Sequence, residues 1–300
     1  MGKVLVIVGP TAVGKTSISI ELAKKYNCGI ISGDSVAVYK RLDIGSAKPT
    51  IEEQQGVKHY LLDFLQPDAE YSVAQFQKEA RAIINENDFI IICGGTGLYI
   101  QSVLYNYEFK AKGRSLDFQK KYEGFSNNEL YELLLEKDPN INKEKLHPNN
   151  RKRVLRALEV LEDTNRSIHS FQGKNQPLYD YFIAYLSMPR EILYENINKR
   201  VDQMIEAGLV DEVYSLYKDG IYPHAIGYQE LYPYFRGEIS LSSAIEEIKK
   251  NTRHLAKRQE TWFKNQMDSH FYLVDKAHVE DSKKQLQSDI DRWLSEWMFI

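Results

Sequence analysis

Residues 3–16 read KVLVIVGPTAVGKT, an apolar segment that runs directly into a glycine-rich turn. Residues 3–8 are nearly all apolar, which is typical of a strand covered on both faces in a parallel sheet. Residues 9–16 fit the pattern G-x-x-x-x-G-K-[ST], and a helix is predicted from residue 14 to about residue 26. This order of strand, loop and helix predicts an α/β fold built on a P-loop.

The same alternation continues along the next eighty residues. Strands are predicted at residues 29–32 and 89–93. A helix is predicted to begin after Ser72, with Gln75 as its capping-box partner, and to run to about residue 87. Strands that alternate with helices indicate a doubly wound parallel sheet.

The pattern changes after about residue 108. Residues 109–180 carry helix signals, at 126–137 and 149–163, and no clear strand. We therefore predict a helical insertion domain at 109–180 within a P-loop catalytic core made of residues 1–108 and 181–300. In that core, a strand at 181–186 returns to the sheet, and long helices follow at 190–206 and at about 240–266.

The composition is ordinary for a globular protein, with 43% hydrophobic residues, 27% charged residues and a net charge of −3. No apolar run approaches the ~20 residues of a membrane span, and the N-terminus does not match a secretory signal.

Cys28 and Cys93 lie among apolar residues and are expected to be buried free thiols. We expect a cytoplasmic monomer without a membrane partner. The net charge does not indicate a nucleic-acid binder, although a local basic face could still serve one.

The phosphate loop comprises Gly9, Pro10, Thr11, Ala12, Val13, Gly14, Lys15 and Thr16. Its glycines let N–H groups face phosphate oxygens, the helix start adds partial positive charge, and Lys15 adds a full charge. The Thr16 hydroxyl is a suitable ligand for Mg²⁺.

Alone, the phosphate-loop motif favours ATP or GTP as the ligand. However, the strand at 89–93 ends in Gly-Gly-Thr, where a nucleotide hydrolase usually has a magnesium-binding Asp. Asp63 is a weaker candidate for that role, and a surface turn explains it equally well.

Asp34 follows the strand at 29–32, at the sheet edge where α/β proteins bind ligands. Its carboxylate could face the bound phosphates across a cleft. It could equally cap a turn or the next helix.

Together these motifs resemble the tRNA dimethylallyltransferase family, also called tRNA isopentenyltransferases. The matching pieces occur in family order between residues 9 and 264. They are Gly9 to Thr16, Ile31-Ser32-Gly33-Asp34-Ser35, Val38-Tyr39-Lys40, Asp43-Ile44-Gly45-Ser46-Ala47-Lys48-Pro49, Tyr71-Ser72, Gly94-Gly95-Thr96-Gly97-Leu98-Tyr99, His147-Pro148-Asn149, Arg153, Arg156-Ala157-Leu158-Glu159, Arg200-Val201, Met204, Gly208-Leu209, Glu212-Val213, Ala225-Ile226-Gly227-Tyr228, Lys257-Arg258-Gln259 and Thr261-Trp262.

The resemblance implies that the loop holds the diphosphate of dimethylallyl diphosphate, with Mg²⁺ as cofactor. The N6 amine of adenine 37 attacks the allylic carbon, in tRNAs that read codons beginning with U, and N6-isopentenyladenosine and diphosphate result. Catalytic roles are implied for Lys15, Asp34, Thr96 and Arg200. Asp34 accepts a hydrogen bond from N6 and takes its proton, Arg200 adds a second diphosphate clamp, and the Thr96 hydroxyl assists the substrates. Spacing alone would make Arg200 a solvated surface charge.

The resemblance also implies a contact with the tRNA anticodon stem-loop, where the target adenine leaves its stack. The implied tRNA-binding residues are Asp34, Ser35, Val36, Ala37, Thr96, Lys152, Arg153, Val154, Leu155, Arg156, His224, Gly227, Tyr228, Lys257, Arg258, Gln259, Trp262 and Lys264. Two positions depart from the family. Ala37 stands where many members carry Gln and lacks a hydrogen-bonding side chain, and His224 stands where some members carry Arg.

The last long helix, at about 240–266, carries a basic stripe on one side. The stripe consists of Lys250, Arg253, His254, Lys257 and Lys264. Ile248, Leu255 and Trp262 recur every seven residues and predict the core-facing side of this helix. A charge stripe is usually only a solvated face, but this one and the basic run at 151–156 could follow phosphates.

Three other functions stay open. A P-loop kinase or ATPase would need a magnesium-binding Asp after a strand, which the sequence does not clearly offer. An enzyme that prenylates free adenine nucleotides would not need the basic stripes or the helical insertion. A protein that binds tRNA without chemistry would not need Lys15, Thr16, Asp34, Thr96 and Arg200 together.

Overall fold

The computed structural model describes residues 2–107, 109, 116–139, 141–144, 146–168 and 176–296. The chain divides into two compact units. One unit comprises residues 1–101 and 179–300, and the other comprises Ser102–Leu178, which overlaps the predicted insertion at 109–180. Within the described ranges, no helix is both long enough and apolar enough to cross a membrane.

Six parallel strands form the sheet of the first unit, in the order β3-β2-β4-β1-β5-β6. The strands are β1 Lys3–Val8, β2 Ile30–Ser32, β3 His59–Tyr60, β4 Phe89–Gly94, β5 Asp180–Ser187 and β6 His270–Leu273. The central strand is β1, and its last residue, Val8, pairs with Gly94 of β4 and Tyr185 of β5. The predicted doubly wound α/β sheet is confirmed, as is the return of the chain to the sheet through β5.

Twelve α-helices are present in the described part of the chain. They are α1 Lys15–Lys25, α2 Ile51–Gln54, α3 Val73–Asn85, α4 Gly97–Leu104, α5 Leu116–Lys121, α6 Asn127–Lys137, α7 Arg151–Thr164, α8 Arg190–Glu206, α9 Leu209–Lys218, α10 Tyr232–Phe235, α11 Leu241–Gln266 and α12 Val279–Ser295. The predicted capping box of α3 is confirmed, because Ser72 Oγ accepts from Gln75 N at 3.2 Å and Gln75 Oε1 accepts from Ser72 N at 2.7 Å.

Burial explains why the sheet forms where it does. Val4 to Val8 of β1 are fully buried, since helices cover both faces of the sheet. Leu5 and Ile7 pack with residues of α1 and α12 in one hydrophobic cluster. Cys28 and Cys93 are free thiols, as predicted, and are half-buried.

The core-facing side predicted for α11 is only partly correct. Ile248 is buried, but Leu255 and Trp262 are half-buried. The buried positions of the second half of the helix are Ala256 and Phe263, one residue further along. Trp262 instead faces Gly97 at the start of α4, where a Cβ atom would lie 2.1 Å from its ring.

The second unit has its own core between α5, α6 and α7. Leu130 and Leu134 of α6 pack against Val154 and Leu158 of α7, and all four are fully buried. The Arg151 guanidinium donates to the carbonyl oxygen of Tyr122 at 2.6 Å and so connects the start of α7 to the end of α5.

Candidate active site

A cavity of about 460 Å³ lies in the first unit, beyond the carboxyl ends of β1, β2 and β4. Ligands of open α/β sheets bind at this edge, where the strand order reverses. Five side chains for which the sequence predicts chemistry line the cavity together. They are Lys15, Thr16, Asp34, Thr96 and Arg200.

The phosphate loop joins β1 to α1 and depends on two glycines. Gly9 has φ 151°, and a Cβ atom there would lie 2.5 Å from the carbonyl oxygen of Leu186. Gly14, with φ 96°, is the N-cap residue of α1. Neither position suits a larger residue, because the backbone at both adopts a conformation that favours glycine. The loop therefore curls at the helix start, as anion-binding loops do.

Two cations face the cavity from different elements. Lys15 Nζ donates to the carbonyl oxygen of Pro10 at 2.8 Å. The pKa of Lys15 is lowered to about 8, chiefly by burial and also by the nearby charge of Arg200, while Cys93 and Asp34 oppose this shift. Burial also lowers the pKa of Arg200, against the opposing charges of Glu53 and Asp34. Two desolvated cations near each other form a site that favours an anion.

Asp34 and Thr96 are held at the ends of neighbouring strands. Asp34 Oδ1 accepts from the backbone nitrogens of Val36, at 2.8 Å, and Ala37, at 3.2 Å. Thr96 Oγ1 accepts from the backbone nitrogen of Ser35 at 3.3 Å. The carboxylate is thereby oriented by its own turn, and its position relative to Thr96 is set by the intervening backbone.

Glycines allow these two strand ends to approach closely. A Cβ atom on Gly94 would lie 2.3 Å from the carbonyl oxygen of Gly33. Thr96 N donates to the same oxygen at 3.2 Å. The Gly94-Gly95-Thr96 at the end of β4 thus allows close backbone packing where a nucleotide hydrolase usually has an Asp.

Gln259 of α11 contacts two loops of the site. Its Oε1 accepts from Thr11 N at 2.9 Å, and its Nε2 donates to the carbonyl oxygen of Gly95 at 3.1 Å. One turn further along α11, the Trp262 ring covers Gly97, where a Cβ atom would lie 2.1 Å from the ring. Both residues are predicted tRNA contacts, and the structure shows that they also pack against backbone of the site.

A segment without an assigned role in the sequence analysis completes the cavity wall. Gly45 to Pro49 line it beside His224 to Gly227. Glu212 connects these two segments, because its carboxylate accepts from the backbone nitrogen of Gly45 at 3.1 Å and from the Tyr228 hydroxyl at 2.7 Å. The only signal in the sequence was the family match of these pieces, since Glu212 lies 167 residues beyond Gly45.

Asp63, the weaker metal candidate, is paired with a lysine. Its Oδ1 lies 2.6 Å from Lys48 Nζ, which also contacts Asp43 Oδ1 at 2.6 Å and donates to the carbonyl oxygen of Tyr39 at 2.7 Å. The Lys48 side chain is only 6% exposed. Asp63 therefore takes part in a structural ion pair, in agreement with the surface-turn alternative.

The predicted tRNA contacts separate into exposed and buried side chains. Those of Lys152, Arg153, His224, Lys257, Arg258 and Lys264 are exposed. Val154 and Tyr228 are fully buried, and Leu155 is 9% exposed. These three side chains pack in hydrophobic cores, so the exposed side chains are the ones available for the predicted contact. Gly227 is also buried, and its N–H donates to Glu230.

Several basic side chains have acidic partners on the same helix. Arg156 pairs with Glu159 on α7 at 2.7 Å. On α11, Lys250 pairs with Glu247 at 3.1 Å, and Lys264 pairs with Glu260 at 2.7 Å. The Arg156–Glu159 pair is largely buried, whereas the two lysine pairs of α11 are exposed. Exposed pairs contribute little to stability and separate readily, so the two lysines can still meet phosphates.

Comparisons of the sequence with known proteins indicate the family to which the chain belongs. The sequence profile of the family described as IPP transferase matches residues 37–266. A tRNA dimethylallyltransferase of Bacillus pumilus (strain SAFR-032) is 46% identical over 298 residues, which cover 94% of this chain and 93% of the relative.

Solved structures of similar proteins also indicate this family. The crystal structure of tRNA delta(2)-isopentenylpyrophosphate transferase from Staphylococcus epidermidis superposes with a TM-score of 0.72 at 43% identity, covering 97% of this chain and 99% of the other. A eukaryotic dimethylallyltransferase acting on tRNA superposes with a TM-score of 0.82 at 28% identity, covering 96% of this chain and 78% of the other. The chain described here belongs to the IPP transferase family.

Proposed function

We propose that this enzyme is a prenyltransferase that moves a dimethylallyl group from dimethylallyl diphosphate to N6 of adenine 37, in tRNAs that read codons beginning with U. The observation that carries the proposal is the shared cavity, in which Lys15 and Arg200 lie with Asp34 and Thr96. The two cations can bind the negatively charged diphosphate. The carboxylate and the hydroxyl can form hydrogen bonds with the amine of the adenine. The names of the relatives support the same reaction.

In the proposed reaction, the N6 lone pair forms a bond to the allylic carbon while the bond from that carbon to the diphosphate oxygen breaks. The electron pair of the broken bond leaves with the diphosphate, so negative charge grows there. Lys15, Arg200 and the N–H groups at the start of α1 would stabilise this charge most strongly in the transition state. The low pKa of Lys15 is consistent with a desolvated cation that a bound anion stabilises.

Asp34 is proposed to receive the proton that N6 loses. A carboxylate is too weak a base to remove a proton from a neutral aromatic amine, but it can take one as the nitrogen becomes cationic. Asp34 Oδ1 already accepts two backbone hydrogen bonds. Oδ2 is therefore the oxygen proposed to face N6, and Thr96 would help to position the amine from the neighbouring strand.

The chain's own residues fit a magnesium ion that is shared with a diphosphate. Thr16 lines the cavity and is exposed at the start of α1. Among the described residues, no group of three or more His, Cys, Asp or Glu side chains could hold a metal by itself. Mg²⁺ typically uses few protein ligands and keeps waters and phosphate oxygens in its shell. Thr16 would hold the ion, which would supply charge neutralisation for the leaving diphosphate.

The exposed basic side chains are proposed to bind the tRNA anticodon stem-loop. In the second unit, Lys152 and Arg153 lie exposed at the start of α7, which supports the proposal that the helical insertion contacts the anticodon stem. In the first unit, Lys257 and Arg258 of α11 and His224 at the cavity wall are exposed. We also propose that the enzyme is cytoplasmic and acts as a monomer.

The proposal is tested by incubating the protein with Mg²⁺, labelled dimethylallyl diphosphate and unmodified tRNA that carries A36-A37. We expect label on the tRNA, and none on a tRNA with guanine at position 37. Transfer to AMP but not to tRNA would instead indicate an enzyme of free adenine nucleotides. ATP turnover without prenyl transfer would indicate a kinase or ATPase, and tRNA binding without either reaction would indicate a binding protein.

A further inference from the structure

Gln259 bonds to two loops that the proposed function assigns to different substrates. Its Oε1 accepts from Thr11 N, in the phosphate loop, at 2.9 Å. Its Nε2 donates to the carbonyl oxygen of Gly95, after β4, at 3.1 Å. Both lengths are those of good hydrogen bonds. One carboxamide thus joins the loop proposed for the diphosphate to the turn that carries Thr96.

The chemistry at both ends of this bridge fixes one orientation of the amide. The N–H of Thr11 requires an acceptor, and the carbonyl oxygen of Gly95 requires a donor. A carboxamide supplies both, whereas an ionised carboxylate supplies acceptors only, and a hydrocarbon supplies neither. The approach is close as well, because a Cβ atom on Gly95 would lie 2.2 Å from Gln259 Nε2.

The bridge continues to the groups proposed to meet the amine. Gly95 directly precedes Thr96, whose Oγ1 accepts from the backbone nitrogen of Ser35. Ser35 directly follows Asp34. The strands before the two loops pair directly at Val8 and Gly94. Beyond that pairing, the path from the phosphate loop to the proposed base consists of Gln259 and short backbone segments, so a displacement of Gln259 would move the two loops relative to each other.

We propose that Gln259 is a positioning residue that sets the separation between the phosphate loop and the Gly95-Thr96 turn, and hence between the two reacting groups. The inference rests on the proposed function and deepens it. Gln259 acts through backbone groups and not through contact with the reacting atoms. Transfer needs the two reactants at near-contact distance, and a misplacement of about 1 Å can cost about a hundredfold in rate. Separate binding of each substrate is far less sensitive to their mutual distance.

The experiment compares Gln259→Leu and Gln259→Glu with the wild type. Gln259→Leu keeps approximately the same volume and removes both hydrogen bonds. Gln259→Glu keeps the acceptor for Thr11, but its ionised form places a negative oxygen against the Gly95 carbonyl. At about pH 8 we expect kcat of both variants to fall by about 10- to 100-fold. Binding of pyrophosphate, measured alone, should stay within a few-fold of the wild type.

The pH profile separates positioning from a general structural role. A protonated carboxyl group has one donor and one acceptor, as the amide does, and burial against a carbonyl oxygen raises the pKa of such a group. The ratio of Gln259→Glu kcat to wild-type kcat should therefore rise between about pH 8 and about pH 5.5, whereas the ratio for Gln259→Leu should stay low. Gln266→Glu makes the same exchange at an exposed position of α11 and is the matched control.

The outcomes separate this inference from the proposed function. If the wild type transfers no prenyl group to tRNA, the proposed function is wrong. If the wild type is active and both Gln259 variants match it at about pH 8, the positioning role is wrong. If the ratio of Gln259→Leu kcat to wild-type kcat rises at low pH as much as the ratio for Gln259→Glu, the positioning role is also wrong. If Gln259→Leu does not fold, the pH profile of Gln259→Glu decides.

Discussion

Tyr228 donates its hydroxyl hydrogen to Glu212 Oε1 across 2.7 Å, from a fully buried ring. The same carboxylate accepts from the backbone nitrogens of Asp43, Ile44 and Gly45 at 3.0, 2.8 and 3.1 Å. Burial, together with the charge of Glu212, raises the pKa of Tyr228 and keeps its hydroxyl protonated. Four donors therefore meet one carboxylate, which holds the turn at 43–45 against the 225–228 segment.

Removal of the Tyr228 hydroxyl should weaken the fold measurably. In Tyr228→Phe, the free energy of unfolding should fall by about 1–2 kcal/mol, because a buried hydrogen bond to a charged group is lost. Urea unfolding at an unchanged m-value checks this. In a Glu212→Ala background the same change should cost much less, since the acceptor is already absent. Fully additive effects would show that the two residues do not interact.

Gly97→Ala should disturb the contact between α4 and α11. The added Cβ atom would lie 2.1 Å from the Trp262 ring, which is closer than any real contact. We expect a loss of several degrees in Tm, since one residue is overpacked. Trp262→Leu should recover part of this loss in the double variant, because a smaller side chain leaves room for the methyl group. Gly124→Ala, at a glycine with no atom within 4 Å of the added Cβ, is the neutral control.

Anion binding should couple to a proton on Lys15. Burial lowers the pKa of Lys15 to about 8, and a bound anion favours the charged lysine. Affinity for pyrophosphate should therefore fall as the pH rises above 8, and about half a proton should be taken up by Lys15 on binding near pH 8. Calorimetry without metal, in two buffers of different ionisation enthalpy, measures this uptake.

Pyrophosphate titrates in the same range, so a variant must isolate the lysine. Lys15→Arg keeps a positive charge that does not titrate near neutrality. The difference in proton uptake between the wild type and this variant belongs to Lys15. An identical uptake in both proteins would contradict the lowered pKa.

Asp34→Asn should preserve the orientation of the turn and abolish proton transfer to residue 34. The amide oxygen can still accept from Val36 N and Ala37 N, so the turn should persist. We expect kcat for transfer to fall by about 10²- to 10⁴-fold, the range for loss of a general base. tRNA binding, measured by fluorescence anisotropy, should remain within a few-fold of the wild type. Turnover near the wild-type level would remove Asp34 from the mechanism.

Local patterns predicted the centre of the sheet and the phosphate loop. β1 and β4 are continuous apolar runs, and the capping box of α3 is contained within four residues. β3 and β6 were missed because they have only two and four residues and no apolar periodicity. The sequence did not predict α12 because the start of this helix lacks a cap signal, and no side chain caps it among the described residues.

The connections across the site could not be predicted from the sequence. Thr11 and Gln259 are 248 residues apart, and only the folded chain brings them within hydrogen-bond distance. A glutamine on a helix with basic neighbours reads as a surface residue, as does Glu212. The predicted face of α11 was wrong in its second half because Leu255 lines the cavity and Trp262 packs against Gly97, contacts that heptad spacing does not reveal. Burial of Val154 and Tyr228 shows that a contiguous motif includes packing residues as well as exposed ones.

The start of α1 differs from that of α3 and α6. Both of those helices begin with a complete capping box, whereas Gly14, within the part of the chain described, provides no side-chain cap for α1. The first N–H groups of a helix have no partner inside it. A bound diphosphate would serve as the missing cap, so ligand binding and folding stability are linked. Resistance of the enzyme to unfolding and proteolysis should therefore rise and fall with the concentration of its prenyl donor.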